Sequence, residues 1–148
     1  LLALFVEHEV PSGLNPMDTI ERLRAQGAVI SVPHPFDYHR NGSWSESDLR
    51  LIAPHVDAIE TFNSRSVNSA MNKRASLFAR ELGLLSTVGS DAHTYSEVGK
   101  STIYMKAYED SGEFVTNLNS AFLKTKSSTP LVHLASRWAI LARKISSL

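Results

Sequence analysis

Short apolar runs alternate with longer amphipathic stretches along most of the chain. The apolar runs are bounded by Gly, Pro, Asn or Asp and are too short for helices, so we predict that they are strands. Four of them read as strands of a buried sheet, and a fifth reads as a more exposed strand. The predicted strands cover residues 1–6, 28–32, 57–62, 84–88 and 101–105.

Apolar residues spaced three and four apart predict helices between these strands. The clearest helix covers residues 67–82 and stops at Gly83, and a second runs from Asn15–Pro16 to about Gln26. A short helix is capped by Ser45, and two more are expected near the end of the chain, joined by a polar connector. These further ranges are residues 45–53, 112–123, 124–129 for the connector and 131–145.

The recurring order of strand, loop and helix indicates an α/β fold. The units repeat at roughly 25 to 30 residues, which is typical of βα units around a parallel sheet, open or closed. The length of 148 residues suits one domain with a real core. No apolar run approaches the length of a membrane span, and we expect a cytoplasmic protein.

Composition restricts the chemistry of any site. The chain has no cysteine and six histidines, so a metal must be held by His, Asp or Glu, which favours zinc, manganese, iron or magnesium over a thiolate zinc site. Fifteen basic residues balance fifteen acidic ones. That balance does not call for a membrane or a nucleic-acid backbone as an obligate partner, and it leaves a local basic patch open.

Ligand-type side chains follow three consecutive predicted strands. His34 follows the second strand between two prolines, Asn63 follows the third, and Asp91 and His93 follow the fourth. Because the carboxyl ends of parallel strands form the edge where sites are built, these positions predict a metal site. Two simpler interpretations stay open: a capped turn for Asp91 and His93, and a structural hydrogen bond to a carbonyl for His34.

Other polar residues near these strand ends have two interpretations each. Asn63 and Arg65 are candidates for holding a substrate oxygen or phosphate, although Arg65 is equally well explained as a solvated loop charge. His39 falls in the same category as Arg65. Glu60, inside the third strand, either supports a metal ligand or pairs with a buried arginine.

Four sequence blocks, taken in order, closely resemble the PHP (polymerase and histidinol phosphatase) superfamily. The resemblance extends over about residues 1–123, which we expect to be one portion of the family's domain, with the connector and C-terminal helix in residues 124–148. It implies a distorted (β/α)7 TIM-like barrel with two or three metal ions, with Asp91 and His93 as ligands and His34 as a ligand or metal neighbour. The blocks are GAVISVPHPF (27–36), IETFN (59–63), NKRASLFARELG (72–83) and VGSDAHT (88–94).

The early ligands of the family, beginning with a His-x-His block, have no counterpart in the sequence. We therefore expect the chain to be the C-terminal half of a barrel within a longer protein, with the N-terminal half as its partner. The resemblance implies a metal-dependent phosphoesterase in which Asp91 and His93 are catalytic through a metal-activated water. Its substrate would be a phosphorylated metabolite, a nucleotide or an oligonucleotide. The alternatives are an amidohydrolase-like C–N hydrolase and an inert fragment that serves as a structural module.

Overall fold

A four-stranded mixed sheet organises the fold in the computed structural model, which describes residues 1–38 and 43–129. Its strands lie in chain order: β1 (Leu2–Leu4), β2 (Val29–Val32), β3 (Ala58–Asn63) and β4 (Leu85–Gly89). Strands β2, β3 and β4 are parallel, whereas β1 runs antiparallel to β2. The predicted α/β class is confirmed, and the predicted parallel sheet is present in β2, β3 and β4, with β1 making the whole sheet mixed. The sheet does not close into a barrel within these residues.

Strand β1 differs most from its prediction. Only three residues are extended; Leu2 and Leu4 are exposed rather than buried, with Leu2 at 54%, and Ala3 is half-buried against the core. The chain turns directly after the strand at Phe5, whose φ is 61°. Because β1 is the last strand at one side of the sheet, its apolar side chains lack the cover that a central strand has. The apolar composition of residues 1–6 therefore predicted the strand correctly, but the prediction that this strand is buried is wrong.

Three helices cover one face of the sheet: α1 (Pro16–Arg24), α2 (Glu46–Ile52) and α3 (Ser69–Leu82). Asn15 caps α1 by accepting the Asp18 N–H at 2.9 Å, and Ser45 caps α2 in the same way. Gly83 ends α3 with a φ of 69°. These three helices are confirmed, and a 3-10 turn (Ala53–His55) follows α2. The buried side chains that join them to the sheet are Ile20, Leu23, Ile30, Val32, Leu49, Ile52, Ile59, Ala75, Phe78 and Ala79.

The opposite face of the sheet is divided into an apolar and a polar part. Phe114 and Leu118 of α4 (Ser111–Asn119) pack on Val29 and Ala58, toward the amino ends of the parallel strands. Two residues further along each strand, the same face carries Ser31, Glu60 and Thr87, because side chains alternate along a strand. Ser31 Oγ lies 2.9 Å from Thr87 Oγ1 across the intervening strand, so the sheet curves toward this face.

The predicted helix over residues 112–123 is too long. Helix α4 ends at Asn119, and residues Phe122–Lys124 form β6, which pairs antiparallel with β5 (Thr102–Tyr104). A short apolar run fits a strand as well as a helix, and pairing with β5 decides for the strand. The expected boundary between the PHP-like portion (residues 1–123) and the connector with the C-terminal helix (residues 124–148) falls within β6. This division of the chain stays a prediction. The predicted helix over residues 131–145 lies outside the described residues. Within them, no helix is long and apolar enough to cross a membrane.

Candidate metal site

The carboxyl ends of the three parallel strands place the predicted ligand positions at one edge of the sheet. His34 lies two residues beyond the end of β2, and Asn63 is the last residue of β3. Asn63 pairs with Gly89 in the strand register, and Asp91 follows two residues later. The loops after β2, β3 and β4 therefore begin side by side, as expected for parallel strands.

Glu60 lies between these loops. Its Oε2 accepts the backbone N–H of His34 at 2.6 Å and the side-chain amide of Asn63 at 3.1 Å. Gly89 of the neighbouring strand leaves room for the carboxylate, since a Cβ there would overlap Glu60 Oε1. Of the two interpretations for Glu60, these contacts favour support of a candidate ligand, because the carboxylate holds the backbone of His34.

The electrostatics around Glu60 favour a cation. Burial raises the pKa of Glu60, and the negative charge of Asp91 raises it further. The hydrogen bonds from Asn63 and from the His34 N–H act in the opposite direction but do not offset burial, so the pKa of Glu60 stays above its ordinary value. A cation bound beside Asp91 and Glu60 would lower the electrostatic cost of holding the Glu60 carboxylate in this half-buried position.

The backbone is strained at two of the predicted ligands. His34 has a φ of 31° and Asp91 a φ of 48°, both in the left-handed region that favours glycine. Each such conformation costs about 1–3 kcal/mol and persists where the surroundings fix it, commonly at functional sites. Two of the three non-glycine residues with positive φ in the described part of the chain are thus predicted metal ligands.

His93 is oriented by its own loop. Its Nδ1 lies 2.8 Å from the backbone carbonyl oxygen of Asp91 and 4.0 Å from Asp91 Oδ1. Because a carbonyl oxygen only accepts, Nδ1 carries the proton and the lone pair of the neutral ring lies on Nε2. The ring is half exposed, with 49% of the side chain accessible. This tautomer suits metal binding through Nε2.

The residue types at this edge of the sheet suit a divalent ion, but among the residues that the structure describes too few come together to hold one. Imidazole and carboxylate groups are ligands that zinc and manganese accept. Among residues 1–38 and 43–129, however, no three His, Asp or Glu side chains come close enough to hold one ion. The described residues supply part of a ligand set rather than a complete one.

Sequence reasoning missed Glu97, which has 0% exposure and forms an ion pair with the almost equally buried Arg65. Arg65 Nη1 lies 2.8 Å and 2.9 Å from the two carboxylate oxygens. The pattern Thr94-x-x-Glu97 is a capping box and was the available signal. The ion pair gives the Arg65 guanidinium a buried partner in Glu97. A role of Arg65 in substrate binding stays a prediction. His39 lies outside the described residues.

A comparison with family sequence models gives a match over residues 70–120, to the family described as PHP-associated. The matched segment includes α3, β4, β5, α4 and the loop with Asp91 and His93. Residues 70–120 are therefore similar to a PHP-associated region. The resemblance to the PHP superfamily is thereby confirmed.

Two relatives of this chain are uncharacterized proteins of Methanocaldococcus jannaschii. MJ0417 is 35% identical over 105 residues, which cover 69% of this chain and 44% of the relative. MJ1587 is 28% identical over 75 residues, covering 51% and 42% respectively. The chain therefore spans less than half the length of the curated relatives it matches. Among solved structures, a "putative metal-dependent phosphoesterase" from Bifidobacterium adolescentis is 26% identical with a TM-score of 0.46, over 52% of this chain and 27% of that one.

Proposed function

We propose that the protein containing this chain is a metal-dependent phosphoesterase, and that the chain is the C-terminal part of a (β/α)7 TIM-like barrel. The observation that carries the proposal is the half-buried Glu60 carboxylate, whose Oε2 accepts the His34 N–H at the strand ends and whose pKa is raised, beside Asp91. The PHP-associated region that includes Asp91 and His93 supports it. The remaining half of the barrel would be the partner that completes the ligand set.

Each proposed site residue has a distinct part. Asp91 and His93, with His34, would hold the ions, which would be zinc, manganese, iron or magnesium. A divalent ion there lowers the pKa of a bound water and neutralises phosphate oxygens. Glu60 fixes the backbone of His34, and Asn63, Arg65 and His39 are the candidates for orienting the phosphate. The proposed substrates are phosphorylated metabolites, nucleotides or oligonucleotides, in a cytoplasmic setting.

The test compares metal content and hydrolysis in the full-length protein. Asp91→Asn and His93→Ala should each lower bound zinc or manganese and p-nitrophenyl phosphate turnover at least tenfold, because each removes a ligand. His55→Ala is the matched control, since His55 is exposed in the 3-10 turn ahead of β3 and should change neither quantity. Unchanged metal content and activity in both site variants would overturn the proposal. Hydrolysis of cyclic amides in place of phosphate esters would overturn the reaction class.

A second candidate is that the 148-residue chain alone is an inert structural module. The incomplete ligand set of the described residues favours it for the isolated chain. Isothermal titration calorimetry of the isolated chain with Mn²⁺ or Zn²⁺ tests this candidate. Micromolar binding that is lost in Asp91→Asn would contradict it, and the absence of binding would support it.

A further inference from the structure

The Glu97 carboxylate receives hydrogen bonds from several segments of the chain, including the loop after β4 that contains Asp91 and His93. Glu97 is completely buried, a position that a carboxylate takes when it is paired and hydrogen-bonded. Its Oε2 accepts the backbone N–H groups of His93 at 3.1 Å and Thr94 at 3.0 Å, together with the Thr94 hydroxyl at 3.0 Å. Its Oε1 lies 2.8 Å from Arg65 Nη1 and accepts the Ser128 hydroxyl at 3.3 Å.

These contacts connect three separate segments. Arg65 belongs to the loop after β3, His93 and Thr94 to the loop after β4, and Ser128 to the extended connector beyond β6. The connector also donates its Ser128 N–H to the Ser64 carbonyl at 2.7 Å. The loop that contains Asp91 and His93 is therefore held to the loop after β3 and to the connector through the Glu97 carboxylate.

The two candidate histidine ligands are held in the same manner. The backbone N–H of His34 donates to Glu60, and the backbone N–H of His93 donates to Glu97. In both cases a side chain that lies apart from the ligand ring fixes the peptide from which the ring projects. Such supporting hydrogen bonds determine where a ligand points and how strongly it binds.

We infer that Glu97 is a positioning residue that, with Arg65, fixes the backbone of His93 and thereby aims its imidazole at the metal. This inference rests on the proposed metal site and adds to it a residue with no direct metal contact. Arg65 takes part through its ion pair with Glu97, in which Nη1 lies 2.8 Å and 2.9 Å from the two carboxylate oxygens. An ionised carboxylate accepts hydrogen bonds from every donor around it, whereas a side-chain amide has only one accepting oxygen.

The experiment measures the loop and the metal separately in the full-length protein. Glu97→Gln should accelerate amide hydrogen exchange at His93 and Thr94 at least tenfold in metal-free protein, with the Ala79 amide of α3 unchanged. Ring nitrogen shifts should show that His93 loses its single Nδ1–H tautomer. Mn²⁺ affinity should fall by roughly 10- to 100-fold, as is usual when support for a ligand is removed.

Glu113→Gln is the matched control. Glu113 is an exposed carboxylate in the first turn of α4 that accepts the Glu109 N–H at 2.9 Å, and its loss should leave His93 exchange and Mn²⁺ affinity unchanged. If Glu97→Gln does not fold, Thr94→Val keeps the Glu97 carboxylate and removes the hydroxyl bond to it, together with the 3.1 Å contact to Ser96 Oγ, and should accelerate the same amides severalfold.

The outcomes separate this inference from the proposed function. Unchanged exchange at His93, or faster exchange with unchanged Mn²⁺ affinity, would overturn the positioning role. If the wild-type protein binds no Mn²⁺ or Zn²⁺, the proposed metal site fails. In that case, unchanged amide exchange at His93 in Glu97→Gln would also overturn the hydrogen bond from the His93 N–H to Glu97. Faster exchange would support that bond.

Discussion

The backbone N–H of His34 donates to Glu60 Oε2 over 2.6 Å. This bond joins a strained residue after β2 to a half-buried carboxylate in β3, and it holds the strained peptide in place. The same carboxylate is close enough to Asp91 for the charge of Asp91 to raise its pKa. The strand-end positions are thus coupled through Glu60.

Glu60→Gln should stabilise the metal-free protein at neutral pH. Because burial raises the pKa of Glu60 above 4.5, the folded state holds a proton that the unfolded state releases, and stability falls as the pH rises through the raised pKa. Glutamine carries no charge and keeps an oxygen that accepts from His34. The gain in unfolding midpoint should be present at pH 7 and shrink as the pH falls toward the ordinary carboxyl range. Thermal unfolding in chelator at several pH values measures it, and a wild type more stable than the variant at pH 7 would contradict it.

Gly89→Ala should disturb Glu60 directly. A Cβ at position 89 would overlap Glu60 Oε1 and lie 3.2 Å from its Cδ, so the carboxylate must shift, which disturbs the bonds of Oε2 with His34 and Asn63. We expect a loss of about 1–3 kcal/mol in the free energy of unfolding. In a Glu60→Ala background most of that loss should disappear, because the clashing atoms are gone. Equal losses in both backgrounds, measured by urea unfolding, would rule out this contact as the cause.

Asp91→Gly should be more stable than Asp91→Ala. Both changes remove the same side-chain interactions, but only glycine adopts a φ of 48° without strain. The difference between the two variants should be about 1 kcal/mol. Chemical unfolding of the two proteins in chelator gives the number. Equal stability would show that the backbone at Asp91 is not strained in solution.

Arg65→Met should destabilise the fold strongly. Glu97 would be left as a buried charge without its cation, and breaking such a pair from one side costs about 3–5 kcal/mol. Arg50→Met is the matched comparison, since Arg50 pairs with Glu46 and Glu81 on the surface, where solvent screens the charges. Urea unfolding should show a far smaller loss for Arg50→Met. A comparable loss in both would mean that burial does not set the cost.

The helices and the strand ends could be predicted from the sequence because local chemistry determines them. Asn15, Ser45 and Gly83 mark helix ends through their own hydrogen bonds or backbone freedom, and the structure places each at such an end. His34 and Asp91 follow parallel strands, so the sheet brings their loops to the same edge. These features depend on residues a few positions apart.

Features that depend on distant residues could not be predicted. Nothing local shows that Leu2–Leu4 pairs antiparallel with β2, or that Phe122–Lys124 pairs with β5. The role of Glu97 depends on Arg65, which is 32 positions away, and on Ser128, which is 31 positions away. The capping box at Thr94 would have indicated a turn but not the buried ion pair beneath it.

Strand β1 has a practical consequence for work with the isolated chain. Among the described residues it is an outermost strand with leucines on its surface, and such a strand is a template for adding another chain. Purified samples should therefore aggregate as concentration rises, through backbone pairing along Leu2–Leu4. A lysine at position 2 or 4 would suppress this aggregation, because a charged side chain on an outer strand blocks close approach of a second strand.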